Sequence, residues 1–217
     1  MTINTKTLAA IDIGTNAIRL FISNVEEYPT ETLFKKIAFL RVPIRLGEDV
    51  FTTGEIGQQK RKRLCETMQG FSYIMSAFNV ESYKAYATCA MREARNGKSV
   101  AEQIQKECDL NIEIISGTKE AETIFAGGMN EVVDDDKTYL YVDVGGGSTE
   151  VIVYSKSVKV EACSFPLGTV RMLNDAVDKE EMKHFKKWLK NITEKYTPDA
   201  IIGSGGNINK IHKLLNK

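Results

Sequence analysis

Histidine is nearly missing from this chain. Only His184 and His212 carry an imidazole in 217 residues, and both fall in segments with helical spacing, so a histidine base or a histidine metal site has little to draw on. An excess of either charge is missing too, with 29 basic residues against 29 acidic ones. Nothing in that balance draws the chain to nucleic acid or to an anionic membrane, and any affinity for anions has to come from local geometry. Cysteine is sparse, and Cys65, Cys89, Cys108 and Cys163 lack metal-ligand spacing, as expected of reduced thiols that serve as packing. No apolar run approaches the ~18 residues of a membrane span, and the opening MTINTKTLAAIDIG has no apolar core behind a basic start. The expectation is a soluble, cytoplasmic protein.

Glycine, by contrast, is concentrated in one place. In YLYVDVGGGSTEVIVY, Tyr139 to Tyr154, an apolar run carrying Asp143 meets Gly145, Gly146 and Gly147, and a second apolar run resumes at Val151. The pattern predicts a β-hairpin whose glycines leave backbone N–H groups bare, with Ser148 and Thr149 completing a concave donor nest for phosphate oxygens. Asp143 entering the turn and Glu150 leaving it are carboxylates that a plain reversal of direction does not need. The stretch has a counterpart. Aligning Asp12 with Asp143 pairs IDIGTNAIRLFI (Ile11 to Ile22) with VDVGGGSTEVIV (Val142 to Val153), which points to a duplicated unit with Gly14, Thr15 and Asn16 in its first turn. Two such turns facing each other would grip a polyphosphate from both sides; turn-capping by the two aspartates is the structural alternative.

In chain order the patterns predict strands at Leu8–Ile13, Ala17–Val25 and Thr30–Val42, then a polar loop from Arg45 to Asp49. An amphipathic helix follows from Glu55 to Phe78, its basic run Lys60 to Arg63 reading as a solvated face. Next come a strand at Val80–Thr88, a helix at Val100–Cys108, a strand at Asn111–Ile115, and a helix over Lys119–Asn130 opened by Ser116-Gly117-Thr118. The acidic Asp134-Asp135-Asp136 with Lys137 marks a seam, giving units of residues 1–136 and 137–217. Beyond it lie strands at Tyr139–Val144, Glu150–Tyr154 and Lys159–Pro166, and a helix capped by Asp178 with Glu181 placed for a capping box. A strand at Asp199–Gly203 and a helix after GSGGN close the chain. The order strand, strand, strand, helix, strand, helix appears twice, which predicts an α/β protein with mixed sheets covered by helices.

Six segments in this order, DIGTNAIRL, ATCAMREARN, IEIISGTKEAETIFAGG, VDVGGGSTEV, FPLGTVRM and IIGSGGNINKI, resemble the exopolyphosphatase and guanosine pentaphosphate phosphohydrolase family over nearly the whole chain. The resemblance implies two ribonuclease H-like lobes around a phosphate-binding cleft, as in the superfamily of actin, sugar kinases and heat-shock chaperones. It implies hydrolysis of the terminal phosphoryl group of inorganic polyphosphate, or of the 5′-γ-phosphate of pppGpp, with Mg2+ or Mn2+. By resemblance Glu120 is the catalytic base, beside its plain reading as a first-turn helix acid, and Arg92 is the phosphate clamp, its guanidinium fork matching phosphate oxygens. Asp143 and Glu150 look like the metal carboxylates, few protein ligands being needed by Mg2+, with Asp12 orienting metal or water. Arg19 points either to the phosphates or to solvent. Gly205 and Gly206, in the GSGGN turn, serve the chain of phosphates or a guanosine, or simply open a helix.

Two departures bear on the expectation. Lys119 stands where the family often carries an acid, beside an unaltered Glu120. The chain also stops at Lys217, soon after the helix following GSGGN, so the second lobe is expected to be incomplete and its sheet edge to pair in a homodimer. A binding or sensing module that grips polyphosphate or a nucleotide without turnover is the alternative to an enzyme.

Overall fold

The computed structural model describes residues 4–126, 134, 136–156 and 158–215. Two compact units divide between Ile115 and Ser116. That boundary falls ahead of the acidic run, because the helix before the run packs on the strands that follow it. Asp135 and the last four positions of the expected Lys119–Asn130 helix lie outside the described residues.

The first unit opens with β1 (Asn4–Ile13), β2 (Ile18–Glu27) and β3 (Thr32–Val42), followed by α1 (Leu46–Thr53) and α2 (Gln58–Ala77). Then come β4 (Ser82–Ala87), α3 (Cys89–Glu93), α4 (Gly97–Cys108) and β5 (Glu113–Ile114). The sheet order is β3-β2-β1-β4-β5, with β1 antiparallel to β2 and parallel to β4. Alternation along the strands puts Ile11, Ile13, Ile18, Leu20 and Ile22 into one core with Leu64, Met68, Phe71 and Met75 of α2 and Val100 and Ile104 of α4. The expected 3.6-residue apolar face of α2 is therefore the buried one. Its basic run is not uniformly solvated, since Lys60 lies across α1 and pairs with Glu48 at 3.0 Å and Asp49 at 2.8 Å.

The expected polar loop at Arg45 to Asp49 is instead the start of α1. No side chain caps this helix, and Gly47 in its first turn weakens the sequence signal. The turn between β1 and β2 caps it from outside, as Arg45 N–H donates to Asn16 O at 2.9 Å and Gly47 N–H to Thr15 O at 3.0 Å.

The second unit contains α5 (Gly117–Ala126), β6 (Thr138–Val144), β7 (Thr149–Ser155), β8 (Val158–Phe165), α6 (Thr169–Leu173), α7 (Lys179–Tyr196), β9 (Ala200–Ser204) and α8 (Gly206–Leu215). Its sheet order, β8-β7-β6-β9, and its pairing senses repeat those of the first sheet, without a counterpart of β5 among the described residues. Strand β7 is buried from Thr149 to Tyr154, because both faces of the sheet are covered. Leu140, Val151, Val153 and Phe165 pack with Ile192, Phe185 and Trp188 of α7, while Tyr139, Tyr141, Ile152 and Tyr154 pack with Ala121 of α5. Asp178 caps α7, accepting from Glu180 N–H at 2.9 Å, one position short of the Glu181 expected from a capping box.

Candidate functional site

The two predicted hairpins share one geometry. Ile13 and Ile18 close the first, with Gly14 N–H donating to Ala17 O at 3.2 Å; Val144 and Thr149 close the second, with Gly145 N–H donating to Ser148 O at 2.9 Å. Register places Asp12 opposite Arg19 and Asp143 opposite Glu150, and directly opposed residues of an antiparallel pair share a face. The duplicated aspartates therefore have partners of opposite sign. In the first unit Arg19 folds back and donates to Asp12, both side chains half-exposed. In the second unit two carboxylates share the face. Glu150 is only 2% exposed and accepts from the Ser164 hydroxyl at 2.8 Å.

What fixes each turn is the start of the helix after the third strand. In the second unit Thr169 N–H donates to Gly145 O at 3.1 Å, while Val170 and Arg171 N–H donate to Gly146 O at 2.8 and 3.1 Å. The guanidinium Nε of Arg171 donates to Gly147 O at 2.9 Å. In a trans peptide the carbonyl and the following N–H point in opposite directions. Binding these carbonyls toward α6 turns the N–H groups of Gly146, Gly147 and Ser148 to the far side, as a nest of donors requires. The α1 bonds to Thr15 and Asn16 carbonyls turn the Asn16 and Ala17 N–H groups in the same way. Gly168 packs so closely under the second turn that a Cβ there would lie 2.4 Å from Gly146 O and Gly147 N.

The role of Gly168, Thr169 and Arg171 was not read from sequence, although a Leu-Gly pair stands near the start of both helices, Leu46-Gly47 opening α1 and Leu167-Gly168 just preceding α6. The Thr149 hydroxyl donates to Leu167 O at 2.5 Å, so that hydroxyl braces the turn from within. Ser148 is buried beside it.

Asp143 lies in register with Ser204 of β9. The next residue, Gly205, has φ +94°, and a Cβ on it would come within 2.8 Å of Asp143 Oδ1 and 2.9 Å of Val144 O. Only glycine combines that backbone with that approach. Gly206 begins α8 with open space beside it. Tyr141 donates to the Ser204 hydroxyl at 2.6 Å; burial raises its pKa, the Ser204 bond opposes that rise, and the Asp143 and Glu150 carboxylates add to it. Among the described residues no group of three or more histidine, cysteine, aspartate or glutamate side chains is placed to enclose a metal. Two carboxylates on one face remain compatible with Mg2+, which keeps most of its waters.

Arg92 projects from α3 and donates through Nη1 to Ile115 O at 2.7 Å, at the last residue of the first unit. Ser116 then caps α5, its hydroxyl accepting from Lys119 N–H at 3.1 Å, and Glu120 is half-buried in the first turn. The histidines stay out of the turns: His184, on α7, sits edge-on to Phe165 at 5.6 Å, and His212 is on α8. Asp12, Gly14, Thr15, Asn16, Arg19 and Arg92 thus belong to the first unit, and Glu120, Asp143, Gly145, Gly146, Gly147, Ser148, Thr149, Glu150, Gly205 and Gly206 to the second.

Residues 22–210 match the model of the Ppx/GppA phosphatase family. The chain belongs to that family. Among Ppx/GppA structures the fold is similar to an exopolyphosphatase from Cytophaga hutchinsonii, with a TM-score of 0.83 and 25% identity over 96% of this chain and 70% of that one. The Aquifex aeolicus family member matches with a TM-score of 0.73 and 27% identity over 94% of this chain and 67% of that one. By sequence the chain is 32% identical to a bifunctional 3-dehydroquinate synthase/phosphatase of Fusobacterium nucleatum, over 76% of this chain and 25% of that protein. It is 28% identical to a putative exopolyphosphatase of Haemophilus influenzae, over 77% of this chain and 50% of that protein. The chain therefore spans a quarter to half the length of these curated relatives.

Proposed function

We propose that this chain is a phosphohydrolase that removes the terminal phosphoryl group of inorganic polyphosphate, or the 5′-γ-phosphate of pppGpp. The observation that carries the reading is the second turn, whose carbonyls are drawn to one side while Asp143 and Glu150 share a face beside it. Phosphoryl transfer to water asks a protein mainly to position the group and to neutralise charge. The Gly146, Gly147 and Ser148 N–H groups receive phosphate oxygens. Glu120 accepts the proton of the attacking water as the water oxygen bonds to the terminal phosphorus and the bridging P–O bond breaks, its electron pair leaving with the shortened chain. Asp143 and Glu150 would hold Mg2+ or Mn2+, whose chemistry is charge neutralisation on the phosphates. The first hairpin is the poorer metal site, because Arg19 already neutralises Asp12.

The relatives named as exopolyphosphatases favour polyphosphate, and pppGpp ends in the same phosphoanhydride. The test is orthophosphate release from each substrate with and without Mg2+, alongside Glu120→Gln. Turnover that depends on the metal and falls at least about a hundredfold in the variant, with tripolyphosphate binding retained, supports the reading. Saturable binding without turnover in the unmodified chain would replace it by a sensing module.

We also propose a homodimer joined through β9. Ala200–Ser204 carries no charge and no proline, the features that usually block pairing at a sheet edge, and Ile201 on it is 70% exposed. Sedimentation velocity at micromolar concentration should give twice the chain mass, and a monomer would remove the idea.

A further inference from the structure

Arg171 is the one buried basic residue among the described residues, 9% exposed. Burying a guanidinium is costly unless its donors are engaged. Its Nε donates to the carbonyl of Gly147, and among the described residues nothing in the first turn corresponds to this contact: from the helix side two backbone N–H groups bind two carbonyls there, whereas the helix side of the second turn binds three carbonyls, the last by a side chain. The bond fixes the Gly147–Ser148 peptide plane. It also polarises that plane, because a cation on the oxygen end leaves the N–H end more positive. The N–H that benefits is that of Ser148, at the end of the predicted nest.

We propose that Arg171 is a positioning residue for phosphate capture, holding and polarising the Gly147–Ser148 peptide so that the Ser148 N–H donates to an anionic phosphate oxygen. The proposal rests on the phosphohydrolase reading above and adds a residue to it that never meets the substrate. A preorganised donor removed from such a site typically costs on the order of a hundredfold in rate, so a residue acting through that donor should show a loss of at least about tenfold.

The test uses tripolyphosphate with Mg2+ as probe, on the full chain and on Arg171→Lys, Arg171→Met and Ile192→Ala. The last deletes core volume under α7 and controls for destabilisation alone. Phosphate release gives kcat and KM; 15N-edited NMR follows the Gly146, Gly147 and Ser148 amides as probe is added. The expected result is a loss of kcat/KM in Arg171→Met of at least about tenfold, partial recovery in Arg171→Lys, and a probe-induced Ser148 shift that shrinks in step. Ile192→Ala should lower the melting temperature while keeping the wild-type shift. Arg171→Met with wild-type kinetics and a wild-type Ser148 shift, or a loss no larger than that of Ile192→Ala, overturns the proposal and leaves the hydrolase reading standing. A wild type that binds the probe without releasing phosphate overturns the hydrolase reading instead, and the Ser148 shift in Arg171→Met still decides the role of Arg171. A wild type that does not bind the probe overturns both.

Discussion

At residue scale the site depends on a few positions where one atom more would not fit. Gly205 combines a left-handed backbone with an approach of 2.8 Å to a carboxylate oxygen of Asp143. Gly205→Ala should therefore lose about 1–3 kcal/mol in urea denaturation and need more Mg2+ for half-maximal phosphate release. Gly206→Ala, with open space beside it, should not be destabilised; equal losses at the two positions would remove the steric explanation. The cysteines behave as the sparse spacing suggested. Burial pushes the Cys65 thiol up to about 11 and raises Cys108 and Cys163 as well. Because the folded pKa of Cys65 exceeds the unfolded value of about 8.5, its contribution to stability is complete below pH 8.5 and is lost as pH rises toward 11. Urea midpoints followed from pH 8 to 11 should fall more steeply for the wild type than for Cys65→Ala. Asp12, Asp143, Glu150 and the glycines were legible in the sequence because a motif exposes residue types. The commitment of the Thr149 hydroxyl to Leu167 was not, since its partner lies on another segment.

At element scale the instructive misreading is α1. A segment with no capping side chain and a glycine in its first turn reads as loop, yet it is helical because turn carbonyls from Thr15 and Asn16 take its first N–H groups. Helix and turn hold each other, and α6 does the same for the second turn. The helix α7 is the contrasting case, with a local cap that the sequence announces. Asp178→Ala should cost about 1 kcal/mol, measurable as a lower urea midpoint, whereas Glu181→Ala should cost much less because Asp178 accepts from Glu180 N–H. Equal costs would mean that Glu181 closes a capping box after all. Long periodic elements such as α2 were legible because their apolar face is written every three or four residues.

At the scale of the whole molecule the two units repeat one plan with unequal interiors. In the first, the sheet, α2 and α4 share one continuous core; in the second, the described interior falls into two smaller clusters on either side of the sheet. Opening is easier where fewer apolar contacts must break. Amide hydrogen exchange should thus be faster in β6 and β9 than in β1 and β4, and slower in β9 as protein concentration rises if β9 is the dimer edge. Equal protection of the two sheets would contradict the inequality of their cores.

Sequence alone determined the duplicated hairpins, the order of the strands and long helices and the identity of the acids, because periodicity and glycine-rich turns are local properties of the chain, whereas the short helices α1, α3 and α6 escaped it. Tertiary structure decided which way the turns present their peptides, that Asp12 is neutralised by Arg19 while Asp143 shares a face with Glu150, and that Arg171 lies under the second turn. Those outcomes depend on carbonyls meeting donors far away in sequence, and on which side chain register places across a strand. No window of neighbouring residues contains that information.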